Sequence, residues 1–257
     1  VRPVLHAFGF GPLRAPQLSN ALLFGASLGA ILFQSPLPDL ARRTYAALTF
    51  LSPALWFVAW PHPEVFSFSL TTIALVWRAA GWPGPAVLAA ALASVQNPPL
   101  VVLAAWLAAQ RVGGALRAGR AGRRPLVIGT ALALVPAAIP AAFSLWAFGT
   151  PSVLTRGAVD ASNLSAARAI ELLLDLNLGL LPHAPVVLSA CLVGALVSPA
   201  LRPCLALAFA LAFVSTAAVN WNSGTSGPAR YAVWIYPLLL EGFAKLLAAA
   251  DPRAGPA

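Results

Sequence analysis

Long apolar stretches separated by short polar ones dominate the chain. Near-continuous Ala, Leu, Val, Ile, Phe and Trp cover residues 18–35, 44–60, 64–80, 125–148, 183–199, 203–219 and 232–249. A helix crossing a bilayer needs about 20 apolar residues, with a range near 17–25, so each stretch predicts a membrane segment. Residues 84–109 are apolar too, but Gln96-Asn97-Pro98-Pro99 interrupts them. Two prolines remove two backbone donors and push the preceding residue out of helix. The pattern therefore predicts two short helices, 84–95 and 100–109, meeting at a polar break that protein or a wet cavity must receive. One unbroken span there would invert everything before it. The expected fold is all-α: a single integral membrane domain over residues 1–257, a polytopic transmembrane bundle of about eight or nine segments.

Residues 164–181 follow a different rhythm. Arg168, Glu171 and Asp175 fall at i, i+3 and i+7, a narrow polar stripe on a surface otherwise of Leu, Ile and Ala. This predicts an amphipathic helix lying in the membrane interface, inside an outer loop over 149–182. Its plainest use is an Arg168–Glu171 pair on a solvated face.

Composition narrows the class. Hydrophobic residues make up 60% of the chain and charged residues 9%, and mean hydropathy is +0.82. Soluble domains carry roughly 25% charged residues, and disorder needs low hydrophobicity; both are excluded. The net charge of +9 points to topology, not to nucleic acid. Arg111, Arg117, Arg120, Arg123 and Arg124 crowd into 110–124, which marks that loop as cytoplasmic. Counting outward puts Arg42, Arg43, Arg78, Arg202, Lys245 and Arg253 inside. Arg2, Arg14, Arg156, Arg168 and Arg230 fall outside. Cys191 and Cys204 sit in apolar runs and fit neither a disulfide framework nor a zinc site. The first fifteen residues lack the apolar core of a signal peptide. Arg in place of Lys, with abundant Ala, Gly and Pro, points to GC-rich codons and a bacterial cytoplasmic membrane. Met is absent and the chain opens Val-Arg-Pro, which fits a GTG start read literally or a missing N-terminal piece.

With the pair broken, the polar clusters share the outer side. His62 and Glu64, fixed by flanking prolines, offer an imidazole and a carboxylate to deprotonate a hydroxyl or hold a phosphate; the alternative is a simple helix cap. Gln96 and Asn97 supply donors and acceptors for sugar hydroxyls, or else satisfy backbone freed by the prolines. The stretch Asn220 to Tyr231 is small, polar and Gly-rich, with Asn220, Asn222 and Arg230. A guanidinium there suits a phosphate, and Tyr231 belongs to the site or to the interfacial aromatic belt. Asp175, Asn177 and His183 approach the next span and are candidates to line the cavity. No Walker loop, dinucleotide fingerprint or metalloprotease motif is present. No cofactor is identifiable, and nothing specifically supports a divalent metal.

The Pro61-His62-Pro63-Glu64-Val65-Phe66-Ser67 run resembles the proline–glutamate turn of bacterial GT-C membrane glycosyltransferases. The Gln96-Asn97-Pro98-Pro99 break fits the same picture. Gly227-Pro228-Ala229-Arg230-Tyr231 is similar to the Gly-Pro-Arg-Tyr stretch late in such proteins. The resemblance implies transfer of a sugar from a polyprenyl-phosphate carrier to a glycan, lipid or protein acceptor on the periplasmic face, with the bilayer as a partner and no nucleic acid. Arg230 would then hold the phosphate, Glu64 and His62 would activate the acceptor, and Gln96 and Asn97 would contact the sugar. One departure stands out. The family carries an acidic residue in its first outer loop, and residues 1–17 contain neither Asp nor Glu. Either that loop precedes Val1 or the chain is a non-catalytic relative. A transporter or lipid flippase is the competing expectation, with Glu241 as an intramembrane proton site.

Overall fold

A computed structural model describes residues 14–60, 62–117, 123–150, 159–177, 179–219 and 230–250. These residues are helical throughout, apart from turns and one isolated antiparallel bridge between Val159 and Ala218. The helices are α1 (Arg14–Gln34), α2 (Asp39–Phe50), α3 (Ala54–Val58), α4 (Glu64–Ala79), α5 (Pro83–Gln96), α6 (Val101–Arg117) and α7 (Arg123–Phe148). The second half adds α8 (Ala166–Leu174), α9 (Leu180–His183), α10 (Pro185–Val197), α11 (Arg202–Ser215), α12 (Arg230–Val233) and α13 (Tyr236–Ala250). Among the described residues, four helical stretches are long and apolar enough to cross a membrane: Arg14–Gln34, Pro98–Arg117, Arg124–Phe148 and Arg230–Ala250.

The core is built on α4. Its buried residues include Ser67, Ser69, Thr71, Thr72 and Ala74, and the facing α5 buries Ala86, Ala89, Ala90, Ala91 and Ala93. Small side chains let two backbones approach closely, the packing that works where lipid removes the usual apolar driving force. Thr72 and Ser94 return their hydroxyls to the carbonyls of Phe68 and Ala91, so neither leaves a polar group bare. The α4–α5 connection follows from sequence. Gly81 takes φ +82°, a conformation that favours glycine. Trp82 N–H donates to Trp77 O at 2.8 Å and Gly81 N–H to Arg78 O at 3.2 Å, which is a Schellman ending. Pro83 then opens α5, where its missing N–H costs nothing.

The Pro-Pro break does double the chain back. Pro83 and Ala86, from the start of α5, line one pocket with Gln110, Gly114 and Ala115 from the end of α6. A collinear broken helix would hold those ends apart. At the bend, Asn97 Nδ2 donates to Ser67 Oγ at 2.6 Å, and Ser67 Oγ reaches Ala93 O at 3.4 Å. The bend is thereby clipped to the Glu64 end of α4. The two helices are longer than the sequence pattern predicts, because α6 continues through Arg111 to Arg117.

Other boundaries shift as well. The expected span 44–60 is two helices, α2 and α3, parted at Ser52-Pro53 where proline removes a donor. Residues 183–199 and 203–219 shorten to α10 and α11, the latter running out at Ser215. The last span is α12 followed by α13 with Trp234-Ile235 between them. The amphipathic helix covers only Ala166–Leu174: Asp175 leaves helical geometry and accepts the Asn177 N–H at 2.7 Å, a local turn that competes with the helix. It buries Ala169 and Leu172, and Arg168 reaches back to the Asn163 side-chain oxygen at 3.3 Å.

Large apolar side chains cover the outside. Phe33 is 86% exposed, Trp146 83% and Leu196 78%, and α7 buries almost none of its length. Apolar exposure on this scale is what a lipid-facing surface carries.

Candidate functional site

The helices run between two ends of opposite character. At one end, α4 begins with Glu64, whose side chain is 4% exposed. Its Oε2 lies 3.9 Å from His62 Nδ1, and its Oε1 lies 3.8 Å from Arg230 Nη1. Both separations are ion-pair distances too long for hydrogen bonds. Oε2 is buried with no hydrogen-bond partner. A carboxylate in the first turn of a helix is favoured by the unpaired N–H groups there, so the fold supports the acid without saturating it. From α1, Asn20 Nδ2 donates to Trp60 O at 2.8 Å and His62 O at 3.3 Å, and Gln17 Nε2 donates to Ala59 O at 2.7 Å. These bonds fix the backbone that carries His62, while the His62 ring packs by Trp60 at 5.8 Å. Arg230 arrives from the other end of the sequence at the start of α12, with Tyr231 edge-on to Trp234 at 6.3 Å.

No family model, curated protein or solved structure matches the chain.

His62, Glu64 and Arg230 come together. Asn97 is buried against Ser67, which lies one helical turn along α4 from Glu64, and its amide is engaged with that hydroxyl. Gln96 is exposed. Asn177 and His183 are exposed, and Asp175 is occupied in the local turn with Asn177. Asn220 and Asn222 lie outside the described residues. Among the described residues, no group of three or more His, Cys, Asp or Glu is placed to hold a metal ion.

The opposite end is basic. Arg78, at the end of α4, places Nη2 2.5 Å from Glu241 Oε1, and Lys245 Nζ sits 2.8 Å from the same oxygen. Arg78 also stacks on Trp106, 5.1 Å from the ring centre, and Nη1 is 3.5 Å from Gln110 Oε1. Tyr45 is buried alongside Glu241 and Lys245. On sequence alone Arg78 reads as a topology marker and Glu241 as an intramembrane proton site. The available signal was a charge embedded in each of two apolar runs, which calls for a partner of opposite sign.

Proposed function

We propose that the chain is a multi-pass bacterial membrane protein, with about eight or nine membrane segments including the short α5–α6 pair, that transfers a sugar from a polyprenyl-phosphate carrier at the Glu64 end. The basic end faces the cytoplasm by the positive-inside bias, so the Glu64 end faces the periplasm. One observation carries the reading: a buried carboxylate, Glu64, with one oxygen unbonded, stands between an imidazole and a guanidinium at that end.

The chemistry assigns each group a step. An acceptor hydroxyl donates its hydrogen bond to Glu64 Oε2. Its oxygen attacks the anomeric carbon, the bond from that carbon to phosphate oxygen breaks, and the electron pair leaves with the phosphate. The hydroxyl proton passes to Glu64, with His62 adjacent to relay it. Arg230 turns from Glu64 to the departing phosphate, where charge develops and its guanidinium fork matches the phosphate oxygens. The acceptor is a glycan, a lipid or a protein.

The test is transfer of labelled sugar from polyprenyl-phosphate donors in proteoliposomes. Glu64→Gln should cut turnover by about 10²–10⁴-fold, and Arg230→Lys by about tenfold or more. Full transfer by both variants would remove the reading.

A transporter remains the second reading, favoured by the buried Glu241. Its carboxylate is shared by Arg78 and Lys245, and a proton carried there would displace those two pairings. Solute uptake into the same proteoliposomes without sugar transfer would decide for transport.

A further inference from the structure

We propose that the pocket between α4, α5, α6 and α7 at the basic end binds a phosphate group, carried by an anionic lipid headgroup or by a soluble phosphate compound. The pocket has a volume of about 310 Å³, which falls in the range of small-molecule sites. It lies at the other end of α4 from Glu64, so it is separate from the site proposed for sugar transfer.

Its polar lining is cationic. Arg78, Gln110 and Arg111 face it, and the rest of the wall includes Pro83, Leu107 and Leu126. Arg78 is already paired with Glu241, but Arg111 has no ion pair among the described residues, and its Nε is buried with no hydrogen-bond partner. A buried guanidinium donor is ordinarily satisfied. The Arg78 Nε is in the same condition. Gln110 receives Arg78 on its oxygen, which leaves its amide N–H groups as further donors.

The placement of Arg111 is built. A Cβ at Gly84 would collide with Arg111 Nη1, and one at Gly129 would stand 3.7 Å from Nη2. The guanidinium is thus wedged between α5 and α7, and Gly84 leaves the room it occupies. That position is the N-terminal turn of the fourteen-residue α5. Pro83 and Pro85 have no N–H, and Ala86 N–H is spent on Trp82 O, so Gly84 N–H is the donor of that turn with no intrahelical acceptor. A cation pushed against the positive end of a helix is repelled. Two guanidiniums and a helix N-terminus converging on one cavity become mutually favourable when an anion sits among them. Phosphate matches the guanidinium fork, and the leucine and proline wall beside the lipid-facing α7 suits the glycerol and first methylenes of a phospholipid.

Native mass spectrometry of the full chain in detergent tests this, using phosphatidylglycerol, the diacylglycerol with the same acyl chains, and inorganic phosphate as probes. Phosphatidylglycerol should bind about tenfold more tightly than diacylglycerol. Arg111→Gln should remove that preference, while Arg202→Gln, at the same end outside the pocket, should keep it. If Arg111→Gln does not fold, Gly84→Ala reads the same pocket by displacing the guanidinium. Retention of phosphatidylglycerol that inorganic phosphate cannot displace assigns the lipid as source; displacement, or phosphate binding alone, assigns a soluble compound. Equal binding of the two lipids together with no phosphate binding overturns the proposal, as does an unchanged preference in Arg111→Gln or Gly84→Ala.

Discussion

Glu241 stabilises the bundle through two cations at once. It is 5% exposed, while Arg78 is 22% and Lys245 35% exposed. Removing the shared carboxylate strands charges that are largely out of water. Glu241→Ala should therefore cost about 3 kcal/mol, towards the low side of such losses because both cations reach solvent, and thermal unfolding in detergent reads it. Asp160 is a contrasting acid. It is fully exposed, and hydrogen bonds from the Ser162 N–H and side chain hold its carboxyl below the usual carboxylate range. A depressed folded value adds stability above the ordinary pKa, about 3.9, and loses it as pH falls through the folded one. The turn at 160–163 should thus hold at neutral pH and loosen only in acid below about pH 4. Hydrogen exchange across these amides, corrected for its intrinsic pH dependence, measures that. At this scale the sequence revealed residue types but not partners. His62 and Glu64 are two positions apart and readable together. Arg230 meets Glu64 from the far end of the chain, and Glu241 meets Arg78 across a similar gap, which no local spacing encodes.

The α5–α6 hairpin depends on the Asn97–Ser67 clip as well as on its prolines. Ser67→Ala leaves a buried amide without its acceptor and should destabilise by about 1–3 kcal/mol. Adding Asn97→Leu to it should recover part of the loss, because an apolar pair leaves nothing unpaired. A double-mutant cycle on unfolding midpoints checks both. Proline explains what was legible among the elements. Two consecutive prolines after Gln96-Asn97 announce a reversal, and the hairpin is there. A single Pro53 inside an apolar run gives a weaker signal, and the break between α2 and α3 goes unread. The stripe of Arg168, Glu171 and Asp175 predicts a helix to residue 181, but the Asp175 side chain captures the Asn177 N–H and ends it at Leu174. Periodicity does not register that competition.

Across the whole molecule, the two ends differ in charge, and charge sets orientation. An impermeant maleimide should label Ser162→Cys from outside intact cells. Arg117→Cys should react only after permeabilisation. Native Cys191 and Cys204 are buried and leave a low background. Hydropathy made the membrane-embedded, all-helical class legible. The pocket at the basic end was not, because it is assembled from side chains of four helices and the space that Gly84 leaves open. One feature ties the ends together. Helix α4 has sixteen residues, about 24 Å of rise, with Glu64 first and Arg78 in its last turn. Nearly every side chain between them is packed, so the rod has no slack to bend into. A ligand that draws on Arg78 therefore pulls on the same packed rod that carries Glu64 at its far tip.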